Sequence, residues 1–215
     1  MPVRRIPKNY RNVTGIVAET KAIGQAQFES TLERDFLKLL EFSPDVSRYE
    51  VQPVTIEWQD RPRQPRSYTP DVWVEFRDDL EVKPWLCEVK HRSDIKKDWA
   101  DLHPKFRRGI RHARSVGAQF RLITEVEIRT PFLSNAIFLL PFRWQMRPEV
   151  EIDAVLEALR RRGKTTVEDL LKDFSTDPWK QAEWLPTVWH LAANFRIGAD
   201  LDAKLTQISS VWSLS

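Results

Sequence analysis

Asp71, Glu88 and Lys90 are the residues whose types and spacing suit chemistry on a charged substrate. They lie in Tyr68-Thr69-Pro70-Asp71-Val72-Trp73-Val74-Glu75-Phe76 and, beyond a charged break at Arg77-Asp78-Asp79, in Pro84-Trp85-Leu86-Cys87-Glu88-Val89-Lys90. Two short apolar runs around such a break predict a β-hairpin. Along a strand, residues i and i+2 share a face, about 6.6 Å apart. Glu88 and Lys90 therefore point the same way, and strand pairing can bring Asp71 beside them. Two carboxylates and an ammonium on one face can hold a divalent cation and polarise a water. The pattern PD…(D/E)xK is weak alone; its bland alternative is a solvated hairpin face with an incidental ion pair. A second Pro-Asp pair, Pro44-Asp45, reads as an ordinary turn after a helix. Pro70-Asp71 differs because it opens a strand whose partner carries Glu-x-Lys.

The remaining elements must position these groups. Residues 1–25 read as an irregular basic arm, since Arg4, Arg5, Lys8 and Arg11 precede the first acid, Glu19. Such an arm is either a solvated tail or a DNA contact. Residues 26–42 predict a helix, with Phe28, Leu32, Phe36, Leu39 and Leu40 at helical spacing. Glu33 falls at the edge of that apolar stripe and Glu29 lies on the same side, so spacing alone does not choose between them. Ser43-Pro44 stops the helix. Residues 48–58 alternate as one strand, with Pro53 suggesting an edge or bulge. Residues 59–67, with Arg61, Arg63 and Arg66 among prolines, read as a basic loop.

Residues 91–117 are helical and basic, carrying Arg92, Lys96, Lys97, Lys105, Arg107, Arg108, Arg111 and Arg114. Pro104 fits the first turn of a second helix there, and Gly117 ends it. Arg107, Arg111 and Arg114 share a face, which is either solvated or a grip on backbone phosphates. A strand follows at 120–124, and Thr130-Pro131 opens a helix to about Leu140. Pro141 and Pro148 flank a linker. Beyond it, helices around 149–159, 166–171 and 183–195 precede a hairpin of 201–205 with 208–212. That order suggests a winged helix, a fold that binds DNA or protein. Trp179, Trp184, Trp189 and Trp212 fall here, as core or as interface anchors. The domain reading is thus a basic arm (1–25), an α/β domain (26–146) and a winged-helix domain (147–215).

Composition narrows the class. With 215 residues, 41% hydrophobic and 30% charged, the chain suits a globular α/β domain plus a small one. The single cysteine, Cys87, excludes an internal disulfide and reads as a small buried hydrophobe. No run approaches the ~20 apolar residues of a membrane span. The start lacks an apolar segment, so a cytoplasmic protein without signal peptide or membrane partner is expected. The net charge of +3 is uneven: residues 150–215 hold 8 basic against 10 acidic side chains, so the basic excess lies with the candidate site. His91, His103, His112 and His190 show no zinc spacing, and six glycines form no phosphate-cradling loop.

The order of helix, strand, PD…ExK hairpin, basic helices and strand resembles the restriction-endonuclease-like core of PD-(D/E)xK nucleases, a mixed sheet flanked by helices. Leu32-Glu33-Arg34-Asp35-Phe36, Gln52-Pro53, Thr69-Pro70-Asp71 and Glu88-Val89-Lys90 are similar, more closely, to the TnsA family. Those proteins are endonuclease subunits of heteromeric cut-and-paste transposons, including those that have captured CRISPR effectors. The likeness covers about 28–125 well and the tail more loosely. It implies that Glu33, Asp71, Glu88 and Lys90 are catalytic. Glu33, Asp71, Glu88 and the Val89 carbonyl would hold Mg²⁺, with Mn²⁺ able to substitute. It also implies transposon-end DNA, a TnsB-like DDE transposase and a TnsC-like AAA+ ATPase as partners, near the bacterial nucleoid. Some family members carry glutamine where Glu88 stands. A stand-alone restriction or repair nuclease, and a non-catalytic adaptor between DNA and an ATPase, are the competing readings.

Overall fold

The hairpin expected around the charged break is present. A computed structural model of the chain describes residues 15–16, 20–60 and 64–214. The N-terminal arginines and Lys8, and Arg61 and Arg63, lie outside the described residues. Two compact units divide the chain, Met1–Ile128 and Arg129–Ser215.

In the first unit, β1 (Gly15–Ile16) pairs with β2 (Gln27–Phe28), and α1 (Thr31–Phe42) follows. The helix expected from residue 26 begins at Thr31 because Ser30 caps it, accepting from the Glu33 N–H at 3.1 Å. It ends at Ser43, before Pro44. The expected strand 48–58 is two: β3 (Val46–Val51) and β4 (Ile56–Asp60). The chain breaks at Gln52, whose φ is +50°, followed by Pro53. The expected loop 59–67 is a second hairpin, in which β4 pairs antiparallel with β5 (Gln64–Tyr68). Its prolines hid a ladder whose second strand is exposed from Gln64 to Ser67.

The central sheet has the order β3, β6 (Val72–Phe76), β7 (Trp85–Val89), β8 (Gln119–Ile123). The first two pairings are antiparallel and β7 with β8 is parallel, so the sheet is mixed. From Leu86 to Val89, β7 is buried at consecutive residues, so both faces are covered. α1 packs on β3 and β7, while α3 (Trp99–Ser115) packs on β7 and β8. A short α2 (Arg92–Lys97) precedes α3, and α4 (Glu125–Ile128) packs on α1. Leu86, Ala113 and Ala118 form a fully packed patch between β7 and α3. Pro104 lies inside α3 rather than in its first turn, and forgoes one helical N–H bond. Gly117, at φ +78°, ends the helix as expected. Cys87 is buried.

In the second unit, α5 (Pro131–Arg143) includes Pro141, which was expected in a linker. It packs on α8 (Pro178–Ala193), so the unit begins before residue 147. Between them come α6 (Glu149–Arg162), β9 (Thr165–Thr166) and α7 (Val167–Leu171). α8 starts earlier than the expected 183, at a cap where Asp177 accepts from Trp179 N at 2.9 Å. The closing strands are β10 (Ile197–Ala199) and β11 (Ser210–Ser213), in the order β10, β11, β9. The first hairpin strand is therefore 197–199, not 201–205. Residues 201–205 are instead held by buried Asn135. Its Nδ2 donates to the Leu201 and Ala203 carbonyls at 2.9 and 2.7 Å, and its Oδ1 accepts from Leu205 N at 3.0 Å.

Candidate active site

Asp71 sits one residue before β6, where Pro70 and the register place it against the end of β7. Its backbone N–H donates to the Cys87 carbonyl at 3.0 Å, and its Oδ2 accepts from the Val89 N–H at 2.6 Å. Glu88 is buried on β7. Its Oε1 pairs with Lys90 Nζ at 3.2 Å and its Oε2 accepts from the Tyr68 hydroxyl at 2.6 Å. The Lys90 backbone N–H donates to the Ile123 carbonyl at 3.0 Å, which fixes where its side chain leaves the sheet. Glu33, in the first turn of α1, closes the N-terminus: Oε2 accepts from Glu29 N at 2.8 Å and Oε1 from Ser30 Oγ at 2.9 Å.

Electrostatics tie the four together. Burial pushes the Asp71 carboxyl well above the ordinary carboxylate range, and the charges of Glu88 and Glu33 push the same way. Burial also raises Glu33, against the hydrogen bonds from Glu29 and Ser30, and Lys90 acts on it through space. For Lys90, burial favours the neutral amine, but the charges of Glu88, Asp71 and Glu33 outweigh it and hold the ammonium above its usual value. Tyr68 is pushed up by burial and by Glu88, so its hydroxyl stays a donor. The result is three acids around one ammonium, reached from α1, the β6 entry and β7.

A family model described as TnsA-like endonuclease N terminal matches residues 43–125, and one described as TnsA endonuclease C terminal matches residues 127–201. The chain belongs to the TnsA endonuclease family. The first match spans Asp71, Glu88 and Lys90; Glu33 lies before it. No curated protein matches the chain.

A TnsA-family site raises the question of a cation. Among the described residues, no three Asp, Glu, His or Cys side chains stand at metal-ligand spacing. The reason lies in the bonds above: Glu33 is turned into its cap, and both Glu88 oxygens have protein partners. Asp71 keeps Oδ1 open. The donors nevertheless fit a hard divalent ion in kind and charge, being all oxygen and carrying two negative charges beyond Lys90.

The basic residues are spread over two helices. Lys96, Lys97, Arg107, Arg111 and Arg114 are exposed, and Lys105 is half-buried. Arg92 is tied down, with Nε to Thr124 Oγ1 at 3.2 Å and a guanidinium nitrogen to Glu127 at 3.4 Å. Arg108 lies over the Trp58 ring at 5.6 Å, which joins α3 to the β4–β5 hairpin.

Tyr68 and Gln52 are neighbours of the site that spacing did not identify as such. Tyr68 ends β5, although the sequence placed it at the start of the next strand, after a loop of 59–67. Buried Gln52 donates its backbone N–H to the Asp71 carbonyl at 2.7 Å, and its Nε2 to Glu29 Oε1 at 3.3 Å. For Glu33 a signal was present: Ser30-Thr31-Leu32-Glu33 is a capping box, which separates Glu33 from Glu29.

Proposed function

We propose that the chain is the endonuclease subunit of a heteromeric transposase. It cuts the 5′ ends of the transposon, the non-transferred strands, so that the element moves by cut-and-paste. The observation that carries this reading is the meeting of Asp71, Glu88 and Lys90 at the end of β7 in a TnsA-family chain, with Glu33 within their electrostatic reach.

The residues divide the work as follows. Glu33, Asp71, Glu88 and the Val89 carbonyl are the ligands for Mg²⁺, or for Mn²⁺ in its place. The bound ion supplies Lewis-acid stabilisation of the scissile phosphate. Lys90, held charged, donates to the attacking water or to a phosphate oxygen. Exposed Lys96, Lys97, Arg107, Arg111 and Arg114, with Lys105 and Arg108, hold the duplex through its phosphates. Arg92 contributes more to the junction with Thr124 and Glu127 than to DNA. The order α6, β9, α7, α8, β10, β11 in the second unit supports a winged helix. Its acidic balance favours a protein partner, a TnsC-like ATPase, with a TnsB-like transposase cutting the 3′ ends.

The test is strand-specific cleavage followed by transposition. Asp71→Ala is expected to abolish Mg²⁺-dependent nicking at the transposon end while the fold persists. Lys90→Ala is expected to keep cation binding and lose roughly 10²–10⁴-fold in turnover. In cells it should shift products from simple insertions to cointegrates, because the 5′ ends stay attached to the donor. An unchanged product ratio with Lys90→Ala would remove this chain from the 5′ cut, and loss of all insertion would favour the adaptor reading.

A further inference from the structure

Trp99 opens α3 with half of its surface, 50%, in solvent. Packing accounts for only part of the ring. It meets buried Phe106 in an edge contact, centroids 6.3 Å apart. The imidazole of exposed His103, one turn on, lies 5.1 Å away at 33° to the indole. At 100° per residue, α3 buries Leu102, Phe106, Gly109 and Ala113 on one side. Trp99 borders that stripe, and beyond it on the same flank come His103, Arg107, Arg111 and Arg114, all exposed. Asp101, the helix's single acid, projects from the other flank, and Asp98 just before the helix stands beside Lys96 and Lys97. A helix face that is merely solvated usually mixes signs. This one is an aromatic pair leading into three arginines.

The fold sets this flank near the cutting residues. β7 and β8 are parallel and α3 crosses between them, so α3 runs opposite to both. Its C-terminal end lies by the start of β7: Ala113 packs with Leu86, and Gln119 N donates to the Pro84 carbonyl at 2.8 Å. Gly109, one turn earlier, faces the ring of Tyr68, whose hydroxyl holds Glu88. Trp99 stands about 15 Å further along the axis, past the end of β7 where Lys90 leaves the sheet. Ligands of parallel strands gather at that end. Among ligands for a nuclease, one joins a flat apolar face to phosphates: a nucleotide whose base is out of the stack. We propose that Trp99, backed by His103, is a stacking platform for an unpaired base of the DNA strand beside the cut, with Arg107, Arg111 and Arg114 following its phosphates. A paired duplex offers no such face, because its bases are stacked on one another. The platform therefore selects DNA that is opened near the cut, whatever its sequence. This inference rests on the nuclease reading above and adds the local form of the substrate to it.

Binding is measured by fluorescence anisotropy in EDTA, where no strand is cut. The probes are a fully paired transposon-end duplex and the same duplex with a short unpaired stretch at the cut position. Wild type is expected to prefer the opened probe. Trp99→Ala should weaken binding to it roughly 5–150-fold, the usual effect of removing one aromatic ring from under a base, and leave the paired duplex unchanged. Trp99→Phe should recover part of that loss, and it carries the test if the alanine variant folds poorly. Arg107→Ala should instead weaken both probes and reduce the salt dependence, which Trp99→Ala should leave as in wild type. A 2-aminopurine at the unpaired position should be quenched by wild type and not by Trp99→Ala. Equal loss on both probes, or none on either, would overturn the proposal. If Trp99→Ala keeps the preference for opened DNA but loses insertion in cells, Trp99 is an anchor for a protein partner and the proposal fails. Asp71→Ala runs alongside and should keep the preference while losing nicking. Normal nicking by Asp71→Ala would remove the nuclease assignment; a wild type that nicks but does not prefer opened DNA would remove only the present inference.

Discussion

At the scale of single residues, crowding of like charge makes pH a probe. Asp71 has its proton held more tightly in the folded chain than in the unfolded one, because of burial and then Glu88 and Glu33. The metal-free protein should therefore lose stability as pH rises from the ordinary carboxylate range toward the raised native value, and change no further above it. Asp71→Asn keeps an acceptor for the Val89 N–H and has no proton to lose. In EDTA, its Tm advantage over wild type is expected to grow across that window, and divalent ion should close the gap. A gap that is constant with pH would show that Asp71 is not strained by its neighbours. These residues also mark what the sequence could tell. Asp71, Glu88 and Lys90 were legible because a hairpin register is local and a strand repeats every two residues. Tyr68 was not, because its hydroxyl reaches Glu88 from another ladder. Gln52 stood in the motif pieces, yet its bonds to the Asp71 carbonyl and to Glu29 are a property of packing alone.

At the scale of elements, the seam between α3, β8 and the β4–β5 hairpin is tight at Gly109. A Cβ there would lie 2.6 Å from Phe120 Cε2 and 3.1 Å from Tyr68 Cε1. Gly→Ala inside a helix ordinarily stabilises by about 1 kcal/mol. Overpacking a filled site costs about 1–3 kcal/mol, so the clash should win. Gly109→Ala is expected to lower the Tm and, by displacing the Tyr68 ring from Glu88, to slow cleavage more than stability loss alone explains. Equal or higher stability would mean that Phe120 yields freely. The same region shows why element boundaries were hard to read. Pro65 and Pro104 looked like loop and helix-start signals, yet one sits in an edge ladder and the other in a helix interior. Tertiary contacts outweighed the local penalty at both. Of the helices with plain apolar periodicity, α1 was expected from residue 26 but starts at Thr31, with Phe28 in β2, and α6 starts where expected but runs on past 159 to Arg162.

At the scale of the whole molecule, the division after Ile128 predicts where the chain tolerates cutting. A chain ending at residue 128 keeps the sheet, α1, α3 and all four proposed catalytic residues. One ending near 146 adds α5 without α8, leaving Leu133, Ala136 and Leu139 uncovered. The shorter protein should be monomeric by size-exclusion chromatography and the longer one should self-associate. Monomeric behaviour of both would mean that α5 needs no partner. This boundary was misread from sequence because prolines were taken as punctuation, whereas Pro141 lies within α5. No described helix is long and apolar enough to cross a membrane.

The cap on α1 has a further consequence. One carboxylate, Glu33, closes the helix and is also a proposed ligand, and turning to an ion would draw it away from its cap. When it turns to an ion, the Glu29 amide loses its acceptor. Hydrogen–deuterium exchange at the Glu29 amide should then speed up on adding Mg²⁺, while neighbouring sheet amides slow. The first turn of α1 would act as a built-in reporter of ligation, readable without any DNA present.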